Sequence, residues 1–337
     1  MLGSRAVPAI ETDGLTKVYG GDTKALDGIT FRVDGGELFG LLGPNGAGKT
    51  TAIRILSTLL RPTAGSARVL GLDVVADPRQ VRLRLGLALQ TPALDAFSTG
   101  RETLELAGRM HGMKMLDIRR RTDELLELMG LSKVATKLTG TYSGGMKRRL
   151  DLASALVHCP DLLILDEPTE GLDPQSRSTL WEELERINAA GTTMLLTTHY
   201  MEEADRLCSR LAIIDSGSIV VEGGPEELKH AIGADTVVLQ LDGGGPGADG
   251  GDPVEHVRDL LDGMVPRDDV VAHPAGVSLS VPNAGGAVPD LLRRLEVNGL
   301  RVTGLQVRQP SLDDVFLKHT GRSIREESAD QPILLGW

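Results

Sequence analysis

The amino-acid sequence predicts an α/β core followed by a small α+β module, and three features carry that expectation. Leu162-Leu163-Ile164-Leu165 and Thr193-Met194-Leu195-Leu196-Thr197 are unbroken apolar runs on either side of a helical stretch at 175–189. Continuous rather than alternating hydrophobicity suits central parallel strands covered on both faces. A glycine-rich segment, Gly43-Pro44-Asn45-Gly46-Ala47-Gly48-Lys49-Thr50, joins the apolar run Leu38-Phe39-Gly40-Leu41-Leu42 to a helix that begins Thr51-Ala52-Ile53. Residues 242–252 are glycine-rich with no core-forming side chain, the composition of a flexible tract inside or beside a second domain. Two domains also suit 337 residues, because single cores stop growing near 250–300 residues.

Residues 1–9 read as slack, followed by strands at 10–19 and 25–33, the second alternating apolar and polar residues like a half-buried antiparallel strand. Beyond the glycine-rich loop, Ser66-Ala67-Arg68-Val69-Leu70 is a short strand, and Leu85-Gly86-Leu87-Ala88-Leu89-Gln90 an apolar run with a polar end. Residues 97–158 are helical by pattern, with apolar positions at three- and four-residue spacing in 101–110, 117–129 and 145–157. Strands at 211–215 and 218–222 meet at Ser216-Gly217, a hairpin signal. The remainder reads as strand 236–241, helix 253–261, strand 277–281, helix 288–297, strand 302–308 and helix 311–320, with a tail at 330–337.

Composition narrows the function. Net charge is -11, so a general electrostatic grip on nucleic acid is not expected. Cys159 and Cys208 form no disulfide framework and lack metal-ligand spacing, which leaves them as buried free thiols. No segment reads as a signal peptide and no apolar run reaches the ~20 residues of a spanning helix. Any membrane role is expected to go through a partner.

The motifs supply the chemistry. The pattern G-x-x-x-x-G-K-[ST] at 43–50, between a strand and a helix, cradles a polyphosphate on backbone N–H groups that no Cβ obstructs. Lys49 is expected to neutralise β- and γ-phosphates, and the Thr50 hydroxyl to reach Mg²⁺. The positive end of the following helix reinforces the anion site. Asp166 and Glu167 end an apolar strand, where Asp166 suits Mg²⁺ and Glu167 suits polarising an attacking water. Tyr142-Ser143-Gly144-Gly145-Met146 precedes a helix, with Ser143 as N-cap and two glycines exposing N–H groups, a second anion surface. Two such surfaces on one domain suggest that two copies share each nucleotide. The adjoining Lys147-Arg148-Arg149 reads as a solvated helix face. His199 follows the strand ending at Thr197-Thr198, within reach of a γ-phosphate.

The order of these motifs, with Gln90 after the loop and Gly171-Leu172-Asp173 before His199, resembles the nucleotide-binding subunit of ABC transporters over residues 9–230. The resemblance implies an ABC-type ATPase core, a mixed sheet with a helical subdomain at about 97–158, spanning 1–232. A small α+β accessory domain at 233–322 and a tail at 323–337 follow. It implies ATP and Mg²⁺ as cofactors, with Gly43 to Thr51 on the phosphates and Tyr19 stacked on adenine. Gln90 then senses the metal and attacking water, Ser143, Gly144 and Gly145 close on the partner copy's ATP, Asp173 communicates across the dimer, and His199 is the switch histidine. Tyr142 and Met146 depart from the commoner Leu and Gln of that signature. A closer resemblance, to daunorubicin/doxorubicin resistance ATP-binding subunits, rests on Gly140-Thr141-Tyr142-Ser143-Gly144-Gly145-Met146, on the ten residues from Leu196 to Asp205, and on Arg308-Gln309-Pro310-Ser311-Leu312-Asp313-Asp314-Val315-Phe316-Leu317. It implies an exporter ATPase working as a homodimer on the cytoplasmic face of the cell membrane, held there by a separate permease subunit. The alternatives are a soluble ABC ATPase acting on ribosomes or DNA, or an importer ATPase with a ligand-sensing C-terminal domain.

Overall fold

The computed structural model describes residues 7–20, 23–241, 253–273 and 276–321. The chain divides into two compact units, one drawn mainly from the chain up to Pro225 and the other from Glu226–Lys318. The expected glycine-rich tract at 242–252 and the tail at 323–337 lie outside the described residues.

The first unit begins with β1 (Ile10–Tyr19), β2 (Thr23–Ile29) and β3 (Arg32–Val33), continues through β4 (Leu38–Leu42) into α1 (Lys49–Leu56), then β5 (Ala64–Val69), β6 (Leu72–Asp73), α2 (Pro78–Arg84) and β7 (Leu85–Ala88). The single strand expected at 25–33 is instead two pieces. The two ends of β1 pair with the two pieces: Leu15 with Ile29 of β2, and Ile10 with Val33 of β3. Three helices follow, α3 (Gly100–Met110), α4 (Met115–Leu128) and α5 (Gly144–Leu156). The Thr99 side chain caps α3 in a capping box with Glu102, satisfying otherwise orphaned N–H groups. Then come β8 (Leu162–Asp166), α6 (Pro174–Ala189), β9 (Thr193–Thr198), α7 (Met201–Leu207), β10 (Arg210–Asp215) and β11 (Ser218–Gly223). The last two strands turn at Ser216 and Gly217, both with positive φ (49° and 81°), as the tight hairpin turn requires.

These strands form two sheets. One is largely antiparallel, in the order β2-β1-β5-β6 with β3 also on β1; the other runs β11-β10-β4-β9-β8-β7. In the second, β10, β4, β9, β8 and β7 are parallel and only β11 is antiparallel. Every residue of β4, β8 and β9 is buried, which explains their unbroken apolar text. Phe39, Leu41, Ile53, Ile164 and Leu195 share one core with Ile10, Leu15 and Val69 of the antiparallel sheet, so α1 is anchored in that core.

The second unit opens at α8 (Pro225–His230) and contains β12 (Asp235–Leu241), α9 (Pro253–Leu260), β13 (Val270–His273), β14 (Gly276–Val281), α10 (Ala284–Val297), β15 (Val302–Arg308) and α11 (Leu312–Thr320). Its antiparallel sheet runs β13-β14-β12-β15. Val237, Leu239, Val277 and Leu279 of one sheet face pack with Val257, Leu291 and Leu295 of α9 and α10. Ser311 and Asp314 exchange hydrogen bonds at the start of α11, so the Pro310-Ser311-Leu312-Asp313-Asp314 text encodes a helix start.

Cys208 is buried, but Cys159 is exposed, correcting the expectation of two buried thiols. Cys159 sits in a turn between α5 and β8 with φ of 52°, outside the core that both elements enter. No helix among the described residues is long and apolar enough to cross a membrane.

Candidate nucleotide site

The loops carrying Gly43 to Gly48, His199, Glu167 and Gln90 leave the carboxyl ends of β4, β9, β8 and β7, which are consecutive neighbours in the sheet. Strands ~4.8 Å apart deliver side chains from sequence-distant loops to one crevice, where ligands of open parallel sheets bind. Two glycines make the loop possible. A Cβ at Gly43 would lie 2.1 Å from the Ile214 carbonyl oxygen, and Gly48 adopts φ of 107° with its Cβ position 2.4 Å from the Ala25 carbonyl oxygen. Gly48 is the N-cap of α1 and provides no side chain to bond the first N–H groups, which remain directed at the loop's concavity.

Lys49 is nearly fully buried. Its Nζ donates to the Gly43 carbonyl at 2.7 Å and the Pro44 carbonyl at 2.9 Å and pairs with Glu167 Oε1 at 3.1 Å. The other carboxylate oxygen, Oε2, lies 2.9 Å from His199 Nδ1. Burial pushes the Glu167 carboxyl up, but the His199 hydrogen bond and the Lys49 ammonium outweigh it and hold the group below its ordinary value. Glu167 is therefore ionised and neutralised in place. Its backbone is left-handed, with φ of 45°, a conformation costing a non-glycine residue about 1–3 kcal/mol. Thr197 helps fix it: the Glu167 N–H donates to the Thr197 carbonyl and hydroxyl oxygens, each at 3.1 Å.

Asp166 Oδ1 accepts from the Thr197 hydroxyl at 2.6 Å and from the Thr50 hydroxyl at 3.3 Å. A hydroxyl and a carboxylate held side by side are hard oxygen donors, a set that fits Mg²⁺ and leaves its remaining positions to phosphate and water. Gln90 Nε2 donates to Glu170 Oε2. A cavity of about 280 Å³ is lined by Ala25, Asn45, Gly46, Gly48, Lys49, Thr50, Thr51, Gln90 and Glu167. Pro44 is present through its carbonyl, and Ala47 is buried beneath the loop, its carbonyl accepting from Gly217 N–H at 3.1 Å.

Tyr19, Ser143, Gly144, Gly145 and Asp173 are among the expected residues that do not line this cavity. Tyr19, at the end of β1, is 40% exposed, with Lys17 Nζ 5.4 Å from its ring centre. Ser143 caps α5, its hydroxyl accepting from Met146 N–H at 3.3 Å, and Gly144 is exposed beside it. A Cβ on Gly145 would fall 2.7 Å from Ser176 Oγ. Ser176 in turn donates through its hydroxyl to Asp173 Oδ2 at 2.6 Å. Gly145 and Asp173 therefore border the same small contact between α5 and α6, and they and Ser143 form a second surface apart from the phosphate loop. Tyr142 is buried under it, and its hydroxyl donates to the Val134 carbonyl at 2.7 Å. A Cβ at Gly100 would strike that hydroxyl at 2.4 Å, so the unusual tyrosine anchors the loop from below.

Arg148 corrects the reading of a solvated basic face, being only 4% exposed. Gly145, Arg148, Leu152 and Ala155 lie on one buried stripe of α5, so helical periodicity held the signal that the charge obscured. Thr197 and Glu170 were also missed. A threonine inside a buried apolar strand must direct its hydroxyl to a partner, which was the available clue for Thr197; Glu170 had none.

Comparison with known proteins follows the same division. Residues 26–170 match the ABC transporter family model, and residues 223–320 match the C-terminal domain of DrrA1-3-like ATP-binding proteins. The chain is 43% identical over 323 residues to the daunorubicin resistance ATP-binding protein DrrA2 of Streptomyces coeruleorubidus, covering 96% of this chain and 98% of that one. It is 39% identical over 325 residues to the Nod factor export ATP-binding protein I of Ralstonia nicotianae, covering 96% and 97%. Among solved structures, a dimeric ATP-binding cassette in a post-hydrolysis state with ADP and phosphate aligns with a TM-score of 0.59 at 25% identity, over 64% of this chain and 98% of that one.

Proposed function

This chain belongs to the family of ABC transporter ATP-binding subunits, and we propose a residue-level account of how it hydrolyses ATP to energise export. It is the ATP-binding and ATP-hydrolysing subunit of an exporter, of the kind whose relatives are named for daunorubicin resistance and Nod factor export. Its cargo class is a hydrophobic drug, antibiotic or lipid-like compound, carried by a separate polytopic permease that holds this subunit at the cytoplasmic membrane face. Phe97, Met110 and Leu116, exposed apolar residues in and around the helices of the first unit, are the contact candidates for that permease.

In this account two copies enclose two ATP molecules. Each nucleotide lies between the loop Gly43, Pro44, Asn45, Gly46, Ala47, Gly48, Lys49, Thr50 and Thr51 of one copy and Ser143, Gly144 and Gly145 of the other. Tyr19 stacks on adenine, and Asp173 meets the partner copy beside the signature. The carrying observation is the Lys49–Glu167 pair, 3.1 Å apart and buried in the cavity wall. Incoming phosphates draw the Lys49 ammonium away, leaving Glu167 an unneutralised buried carboxylate. Its proton affinity then rises, which suits the polarisation of water in line with the γ-phosphate. His199, already bonded to Glu167 Oε2, steadies that carboxylate and reaches the γ-phosphate. Gln90 turns from Glu170 toward the attacking water. Thr50 and Asp166, with Gln90 nearby, would hold Mg²⁺, which supplies charge neutralisation on the phosphates when bound. Closure requires the γ-phosphate, so its loss reopens the dimer and resets the permease.

Replacing Glu167 with Gln is expected to keep ATP binding, accumulate closed dimers by size-exclusion chromatography, and abolish turnover. Hydrolysis at the parent rate in that variant removes Glu167 from its role. Co-purification of a polytopic protein from solubilised membranes tests the permease; recovery with ribosomal or DNA-repair proteins instead overturns the export assignment.

A further inference from the structure

Glu167 holds a left-handed backbone, with φ of 45°, and such a residue persists only where its surroundings over-determine it. One side chain grips the chain on both sides of it. Arg148 Nη2 donates to the Asp166 carbonyl at 3.0 Å, and Nε donates to the Pro168 carbonyl at 2.7 Å. The same guanidinium reaches a third active-site segment, donating through Nη1 to the carbonyl of Leu89, the residue before Gln90. Its remaining contact is Asp151 Oδ2, 3.2 Å away one turn along the helix. Arg148 is 4% exposed and is not among the residues lining the nucleotide cavity.

The helix bearing Arg148 is the one that Ser143 caps and that begins at Gly144. The guanidinium therefore joins three parts of one subunit: the backbone around Glu167, the backbone leading to Gln90, and the helix whose amino end carries Ser143, Gly144 and Gly145. We propose that Arg148 is a positioning residue for hydrolysis, a planar clamp that sets Glu167 and Gln90 relative to the signature helix. This rests on the reading of Glu167 and Gln90 given above. A rearrangement of α5 on closure is thereby transmitted to both groups of the same subunit, without Arg148 touching ATP.

The chemistry of the clamp dictates which substitution is informative. A guanidinium presents five donors in a rigid fork, whereas an ammonium is a point charge on a flexible stem. Lysine preserves the charge opposite Asp151 but cannot span carbonyls on both sides of Glu167 together with that of Leu89. Methionine removes the polar head while filling the stem's volume.

The test uses the full chain carrying Arg148→Lys, Arg148→Met or Glu167→Gln, with Mg·ATP affinity by calorimetry and steady-state hydrolysis. Both Arg148 variants are expected to bind Mg·ATP within about twofold of the parent and to lose kcat about tenfold or more with little change in KM, the signature of an interaction expressed in the transition state. An Arg148→Lys protein with kcat within about twofold of the parent overturns the inference. So does parallel loss of affinity and kcat, or failure of both variants to fold, since either makes Arg148 a general structural residue. If only Arg148→Met misfolds, Arg148→Lys decides. Glu167→Gln separates the levels. Turnover surviving there overturns the underlying reading, whereas an inactive Glu167→Gln beside a fully active Arg148→Lys overturns the clamp alone.

Discussion

The resting ion pair between Lys49 and Glu167 makes an unusual demand on the Glu167→Gln variant: it should be less stable than the parent without nucleotide, yet bind ADP more tightly. The two side chains are only 4% and 7% exposed and 3.1 Å apart, and breaking a buried pair by removing one partner typically costs ~3–5 kcal/mol. Lys49 retains the Gly43 and Pro44 carbonyls and gains the neutral amide, so the expected cost is the lower figure of about 2 kcal/mol. At ~2–4 °C per kcal/mol for a unit of this size, the melting temperature falls by about 4–8 °C. Phosphate takes the place of the lost carboxylate when nucleotide binds, returning that energy and tightening ADP binding about 30-fold. ADP is the right ligand because it lacks the γ-phosphate on which closure depends. Differential scanning calorimetry without nucleotide and titration calorimetry with ADP supply the two numbers. An unchanged melting temperature, or an ADP affinity within about twofold of the parent, would refute the idea that Lys49 is exchanged between carboxylate and phosphate. The pair also has a pH signature. Glu167 is held below its ordinary value near 4.5, so its contribution is full above that pH and is lost as pH falls through the depressed value.

Three further outcomes follow from particular contacts. Gly48→Ala must place a Cβ 2.4 Å from the Ala25 carbonyl oxygen at φ of 107°; nucleotide binding should be lost and stability should fall by about 3 kcal/mol or more, checked by denaturant unfolding. Burial, aided by the adjacent His111, pushes His158 down from 6.5 to about 4, and the rings stack at 3.7 Å. The neutral folded form is therefore favoured above pH 6.5, and its contribution declines as pH falls from 6.5 to about 4. Discounted for partial solvent contact, the stability difference between the parent and His158→Gln should shrink by about 1–2 kcal/mol over that window; a flat difference curve refutes it. Under native conditions a thiol reagent should label Cys159 and spare Cys208, which is buried with its thiol pushed well up; peptide mapping reads the outcome, and equal labelling contradicts the packing.

Much of the candidate site was legible because its residue types are forced by local chemistry. Gly48 had to be glycine to adopt its φ, Lys49 and Thr50 had to follow it on the first turn of a helix, and Asp166 and Glu167 had to end a strand. The helix stripes of 101–110, 117–129 and 145–157 and the hairpin at Ser216-Gly217 were equally readable, since each is a near-neighbour pattern. Less local features escaped. The run 25–33 alternates like one strand, but it meets β1 as two pieces, Ile29 opposite Leu15 and Val33 opposite Ile10. Lys147-Arg148-Arg149 looks like a solvated face because charge is normally solvated, and the compensation for burying Arg148 comes from carbonyls 18, 20 and 59 positions away.

The sequence by itself determined the family, the phosphate-loop pattern and the candidate carboxylate, lysine and hydroxyl groups for a nucleotide, because those follow from spacing within a few residues. Only the tertiary structure decided how they stand toward one another. Parallel strand order places β4, β9, β8 and β7 side by side, bringing Lys49, His199, Glu167 and Gln90 to one edge. Burial then turns Lys49 and Glu167 into partners and Arg148 into a clamp. Those relations depend on which distant backbone lies alongside a side chain once water is excluded, and no local pattern specifies that.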